Sequence, residues 1–86
     1  MAKFKKATIT VHDFKTASYS SNTDCYIARA LKRAGMKNVR VAGHMYMYKF
    51  GGKRFTVYHT PRLWDAVSST IAPFRTRAFT FRIPVA

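Results

Sequence analysis

The 86 residues are enough for one domain, 1–86, and 16 Lys and Arg against 3 acidic residues give a formal net charge of +13. All three acids are aspartates (Asp13, Asp24, Asp65), so a paired-carboxylate hydrolase site or a carboxylate-rich Mg²⁺ or Ca²⁺ site would use nearly every acid in the chain. The single Cys25 excludes a disulfide framework, and 48% hydrophobic content argues against a disordered basic tail.

No apolar run approaches the ~18 residues of a membrane span, and no signal-peptide pattern opens the chain, so no membrane association is expected. Charge of one sign repels itself and destabilises a compact state, so a surplus this large is expected to have a use. The usual partners of such charge are nucleic acid, another phosphate-rich ligand, an acidic protein or an anionic membrane, of which the membrane is not expected here. The cations are dispersed, with Lys3-Phe4-Lys5-Lys6 the tightest cluster, which points to a charged folded surface.

In chain order, Lys5 to His12 alternates as a half-buried strand, with Ala7, Ile9 and Val11 on one face and Lys6, Thr8, Thr10 and His12 on the other. Asp13 to Thr23 reads as a polar connection, with Phe14 and Tyr19 its large apolar groups. A helix follows from Asp24 to Ala34. Ser21 to Asp24 offers N-caps, and Gly35 supplies the left-handed position after its end. Ile27, Ala30, Leu31 and Ala34 form its apolar stripe, opposite Tyr26, Arg29 and Arg33.

Asn38 to Thr60 reads as a β-hairpin about Gly51-Gly52, in which facing residue numbers sum to 103. Thr60-Pro61 opens a second helix with Leu63, Val67 and Ile71 buried, and Pro73 ends it. Trp64 beside that stripe is expected in the core. A last strand, Arg77 to Ile83, turns Phe79, Phe81 and Ile83 one way and Ala78, Thr80 and Arg82 the other. The order β-α-β-β-α-β predicts an α+β domain. Its economical topology is a ferredoxin-like antiparallel sheet with two helices on one face.

The open face of that sheet would carry function. Continuity from Val39 and Val41 makes the odd-numbered face of the hairpin the core. Tyr46, Tyr48 and Phe55 then point outward, within a rim of Arg40, Lys53, His44 and His59. Rings in a basic rim suit stacked bases of single-stranded nucleic acid. A bulge at Gly43 would exchange the two faces, because a one-residue slip moves every side chain across the sheet. A third arrangement buries the aromatic face between copies of the chain in a homo-oligomer. The expected contacts are Tyr46, Tyr48 and Phe55 for stacking and Arg40, Lys53, Arg54 and Arg82 for phosphates. Arg29 and Arg33 are expected to form a second phosphate-binding edge.

Enzymatic chemistry finds little support. His12-Asp13 with Cys25 matches no zinc spacing, so no metal or cofactor is expected. Cys25 reads as a helix-entry residue. His44 and His59 would face each other across the hairpin as an acid and base for a phosphodiester. Cross-strand histidines near a sheet edge need no such role, and a non-enzymatic protein is expected.

The helix Asp24-Cys25-Tyr26-Ile27-Ala28-Arg29-Ala30-Leu31-Lys32-Arg33-Ala34-Gly35, with Pro73-Phe74 and the ending Phe79-Thr80-Phe81, resembles small uncharacterised phage-encoded proteins. In these a Cys-Pro-Ile-Ala-x-Ala-Leu helix start, a hairpin, a second helix and a Phe-x-Phe ending recur. The chain departs from them at Tyr26, where proline is common, and in its charge. The resemblance implies a phage accessory protein in the cytoplasm of an infected bacterial host. Such a protein would handle nucleic acid, or counter host defence by sequestering a nucleotide signal or inhibiting an acidic host protein.

Overall fold

The computed structural model describes residues 3–17, 21–68 and 70–86, so Tyr19 of the polar connection lies outside the described residues. Strand β1 (Phe4–Ile9) is followed by a short helix α1 (Val11–Thr16) and by α2 (Tyr26–Arg33). Three strands come next, β2 (Lys37–Ala42), β3 (Met45–Phe50) and β4 (Lys53–Tyr58), then α3 (Pro61–Ala66), a 3₁₀ turn (Ala72–Phe74) and β5 (Phe79–Pro84). The domain is α+β with antiparallel sheets, as the alternation predicts, but its strands divide into two sheets. β1 pairs with β5, and β2-β3-β4 form a separate meander. The single four-stranded ferredoxin-like sheet does not form.

The reasons are local. Thr10-x-x-Asp13 is a capping box. The Thr10 hydroxyl accepts from the Asp13 N–H at 3.1 Å, and the Asp13 carboxylate accepts from the Thr10 N–H at 2.9 Å. It ends β1 at Ile9 and turns Val11 into the first residue of a helix. The second difference is a turn at Gly43-His44, with Gly43 at φ 58°, which splits the predicted first hairpin arm into β2 and β3.

That turn also decides which side chains enter the core. Val41 faces Tyr46 and Arg40 faces Met47, so facing numbers sum to an odd value and parity inverts between β2 and β3. The Gly51-Gly52 turn then gives Tyr48 opposite Phe55 and Tyr46 opposite Val57, the predicted register. The buried face is therefore Val39 and Val41, then Tyr46 and Tyr48, then the half-buried Phe55 and Val57. The outward placement of Tyr46 and Tyr48 is overturned, and the exchange of faces at Gly43 is what occurs.

On the other sheet Ala7 and Ile9 pair with Phe81 and Phe79, facing inward as their alternation predicts. The inner faces meet where Tyr46 packs edge-on to Phe81, with ring centroids 6.1 Å apart, and where the Tyr48 hydroxyl donates to the Pro84 carbonyl. α2 packs on β1 and β2 and buries Ile27, Ala28, Ala30 and Leu31. Its end is a Schellman motif: Met36 N–H reaches Leu31 O at 3.1 Å and Gly35 N–H reaches Lys32 O at 3.0 Å, with Gly35 at φ 95°. Tyr26, expected on the solvent side, is buried against Phe14. α3 stops at Ala66, so Ile71 no longer shares a stripe with Leu63 and is exposed, and Trp64 is half-exposed.

Candidate nucleic-acid interface

Two of the three aspartates, Asp13 and Asp24, are paired with arginines. Asp13 is buried at the start of α1 and takes a bidentate pair from Arg33, with both N···O distances 2.9 Å. Arg33 also donates to the Thr8 carbonyl at 2.8 Å. Burial alone would push the Asp13 carboxyl up, but the bonds from Arg33 and Thr10 outweigh it and hold the group below its ordinary 3.8. Arg29 donates to Asp24 at 3.0 Å and to the Thr16 hydroxyl at 2.6 Å, and stands 3.8 Å from Asp13. The hydrogen bond from Arg29 lowers the Asp24 pKa. Arg29 and Arg33 therefore tie α1 to α2, and the expected second phosphate-binding edge is already occupied by carboxylates.

The outward face of β2-β3-β4 has the opposite character. Its cross-strand rows are Ala42, Met45 and Tyr58; Arg40, Met47 and Thr56; and Lys49 beside Arg54, with Lys37 at the edge. Arg40 and Arg54 are exposed. Among the described residues none of Lys37, Arg40, Lys49 and Arg54 has an ion-pair or side-chain hydrogen-bond partner. Register slips between Lys37 and Arg40, where Asn38 takes φ 50°. A cleft of about 490 Å³ opens there, lined in part by Arg40, Lys49, Arg54, Met47 and Phe55. At the other end Tyr58, 62% exposed, stacks on His44 with centroids 5.6 Å apart and planes 19° apart.

The predicted contact residues are thus dispersed. Arg40 and Arg54 share this face. Phe55 lines its cleft while stacking on Tyr48 at 5.2 Å. Lys53 is exposed beside the Gly51-Gly52 turn. Arg82 is exposed on the outer face of the other sheet, directly opposite Lys6, with its guanidinium over the Phe4 ring at 5.3 Å. Tyr46 and Tyr48 lie in the core, each 2% exposed, where burial pushes the Tyr46 hydroxyl up to about 12 and raises that of Tyr48 as well.

Lys49, Met45 and Met47 were missed as surface residues because the parity inversion at Gly43 is invisible to a two-residue alternation. Lys6, Arg62 and Arg82 also border a depression of about 520 Å³ between β1-β5 and the start of α3. Their convergence crosses three elements and leaves no sequence signal.

The histidine pair is separated by the same turn. The His59 N–H donates to the His44 carbonyl at 2.7 Å, but the His44 ring stacks on outward Tyr58 and the His59 ring on buried Tyr46. Their rings do not converge on one substrate position. Cys25 is buried and free. Among the described residues no three His, Cys or acidic side chains cluster, and no helix is long and apolar enough to cross a membrane. Compared with protein-family models, curated proteins and solved structures, the chain matches none.

Proposed function

We propose that this protein is a non-enzymatic nucleic-acid-binding protein whose interface is the outward face of β2-β3-β4. The observation that carries this reading is the segregation of charge. Asp13 and Asp24 are bound to α2 arginines, whereas Lys37, Arg40, Lys49 and Arg54 hold their charge unpaired across one sheet face. Such a face attracts a phosphate backbone, and counterion release makes the binding salt-dependent. The exposed Tyr58 on His44 supplies a stacking platform at the end of the cationic row. We infer the setting from the resemblance of the first helix and the Phe-x-Phe ending to phage-encoded proteins, which would put this binding in the cytoplasm of an infected bacterium.

The test is fluorescence anisotropy with a short single-stranded oligonucleotide across 50–200 mM salt. Four phosphate contacts, each adding about 0.7 to the slope of log affinity on log salt, predict about a 50-fold loss of affinity over that range. The triple variant Arg40→Gln, Lys49→Gln, Arg54→Gln lowers the slope by about 2. Absence of binding at the low-salt end, or an unchanged slope in the triple variant, refutes the assignment.

A further inference from the structure

Buried polar groups in folded proteins are almost always hydrogen-bonded, so an exception points to something unmade. Both ring nitrogens of His59 are shut from solvent and, among the described residues, have no hydrogen-bond partner. Arg75 Nε is in the same position, but its guanidinium lies against the Phe14 and Phe79 rings at 5.2 and 5.4 Å. The His59 ring has aromatic neighbours too, Tyr46 at 5.7 Å and Trp64 at 5.6 Å between centroids. Its two nitrogens, one donor and one acceptor in the neutral imidazole, remain unused.

His59 borders a cavity of about 340 Å³ between the approach to α2, the Gly43 turn and α3. This is the size of a small-ligand site. Tyr26, Trp64 and Val67 give it ring and aliphatic walls, and Ser21 and Asn22 add polar groups. The Ser21 oxygen accepts from the Thr23 and Asp24 N–H groups, which leaves its own proton to donate. Among the described residues no lysine, arginine, aspartate or glutamate lines the cavity. The complement is a flat, uncharged ring system with donors and acceptors on its edge. A carboxylate or phosphate would find no counter-charge there.

We propose that this cavity is a nucleobase pocket, in which the His59 ring, its nitrogens closed off from solvent in this structure, turns toward the edge of a base bound beside the Trp64 ring. The proposal rests on the nucleic-acid reading of the outer sheet face and adds to it a site for the neutral part of the same ligand. The two regions adjoin in the chain. Tyr58 is the last exposed ring of the cationic face and His59 the next residue, while Gly43 lines the cavity and His44 stacks on Tyr58. A strand whose phosphates follow Arg54 toward Tyr58 therefore ends beside the cavity.

Trp64 is the only tryptophan, so its indole N–H resonance in ¹H–¹⁵N spectra reports on the pocket alone. The protein is titrated with the phosphate-free nucleosides adenosine, guanosine, cytidine and uridine at high salt, where phosphate contacts are suppressed. At least one is expected to shift that resonance saturably. His59→Phe keeps a ring between Tyr46 and Trp64 without the nitrogens and is expected to weaken binding about tenfold, the scale of one or two hydrogen bonds. Asn22→Ala, away from the aromatic stack, is expected to weaken it severalfold and serves if His59→Phe does not fold. No shift with any nucleoside, or full affinity in a folded His59→Phe or Asn22→Ala protein, overturns the pocket. If oligonucleotides still bind with the steep salt slope in that case, the sheet-face reading stands alone. A saturable nucleoside shift without oligonucleotide binding supports the pocket and removes the sheet-face reading.

Discussion

Replacing Asp13 by Asn tests whether the α2 arginines are structural. The carboxylate is 1% exposed and accepts two charge-assisted bonds from Arg33 and one from the Thr10 N–H, all at 2.9 Å. Hydrogen bonds to charged groups contribute about 1.5–3 kcal/mol each. Asn keeps one acceptor oxygen but turns an NH₂ toward the remaining donor, so about one such bond is lost and a donor–donor clash is added. Water reaches Arg33, whose side chain is 47% exposed, and compensates part of the loss. The expected destabilisation is about 2–3 kcal/mol, a large share of the ~5–15 kcal/mol available to a domain. For a chain of this length it lowers Tm by roughly 10–20 °C.

Urea and thermal denaturation followed by circular dichroism measure this loss. A double-mutant cycle with Arg33→Met isolates the pair, and a coupling of at least about 1 kcal/mol is expected between residues in direct contact. The parent should also lose stability as pH falls below the ordinary Asp value of 3.8. The folded carboxyl titrates lower than the unfolded one, so protons favour the unfolded chain across that window. Asp13→Asn should lack this component. Below its melting range the variant should keep its oligonucleotide affinity, because the freed arginines lie outside the proposed interface. Additive effects of the two substitutions, or a loss of binding without unfolding, would refute the structural role.

Tyr48→Phe removes the hydroxyl donated to Pro84 and should cost about 0.5–1.5 kcal/mol by urea denaturation, with unchanged oligonucleotide affinity. Weakened binding at full stability would return that ring to the surface. Burial, with a smaller effect of His44, holds the His59 imidazole below its ordinary 6.5. The neutral ring is therefore the folded form, and the contribution of His59 to stability is present above that value and declines as pH falls through the lowered one. Tyr46 stacked on the ring, His44 from the turn, and Cys25 and Tyr26 across the cavity are titratable groups around it. Urea midpoints measured through this window should fall with pH less steeply in His59→Phe than in the parent, and equal slopes would count against the assignment.

Strands whose two faces differ in polarity were legible. Ala7 and Ile9 against Lys6 and Thr8, and Phe79, Phe81 and Ile83 against Thr80 and Arg82, leave one choice of buried face. The Gly51-Gly52 turn fixed the β3-β4 register for the same reason, since two glycines with positive φ suit a two-residue turn. α1 was hidden because Thr10 and Asp13 also fit a strand end and a polar connection. Their reciprocal hydrogen bonds appear only when the T-x-x-D spacing is read as a cap. The arrangement of two sheets depends on contacts such as Tyr46 on Phe81 and Tyr48 on Pro84, distant in the chain, which no local pattern encodes.

The hairpin face was the harder problem, because both its faces are amphiphilic. Met45, Met47 and Tyr58 could line a core as well as Tyr46, Tyr48 and Phe55, so hydrophobicity did not discriminate. A second two-residue turn at Gly43-His44 resolves it by changing parity once, and the consequence extends beyond packing. Val39 and Val41 stay buried while the rings of β3 turn in behind them. Arg40 then shares the outer face with Lys49 and Arg54 instead of with Lys53 and Phe55. The same inversion carries His59 inward to the cavity and leaves Tyr58 outside on His44. One glycine at positive φ thus sorts the hairpin into a cationic face, the proposed phosphate interface, and a neutral recess, the proposed base pocket. Gly43 has no atom within 4 Å of an added Cβ, so Gly43→Ala would act through the backbone conformation alone.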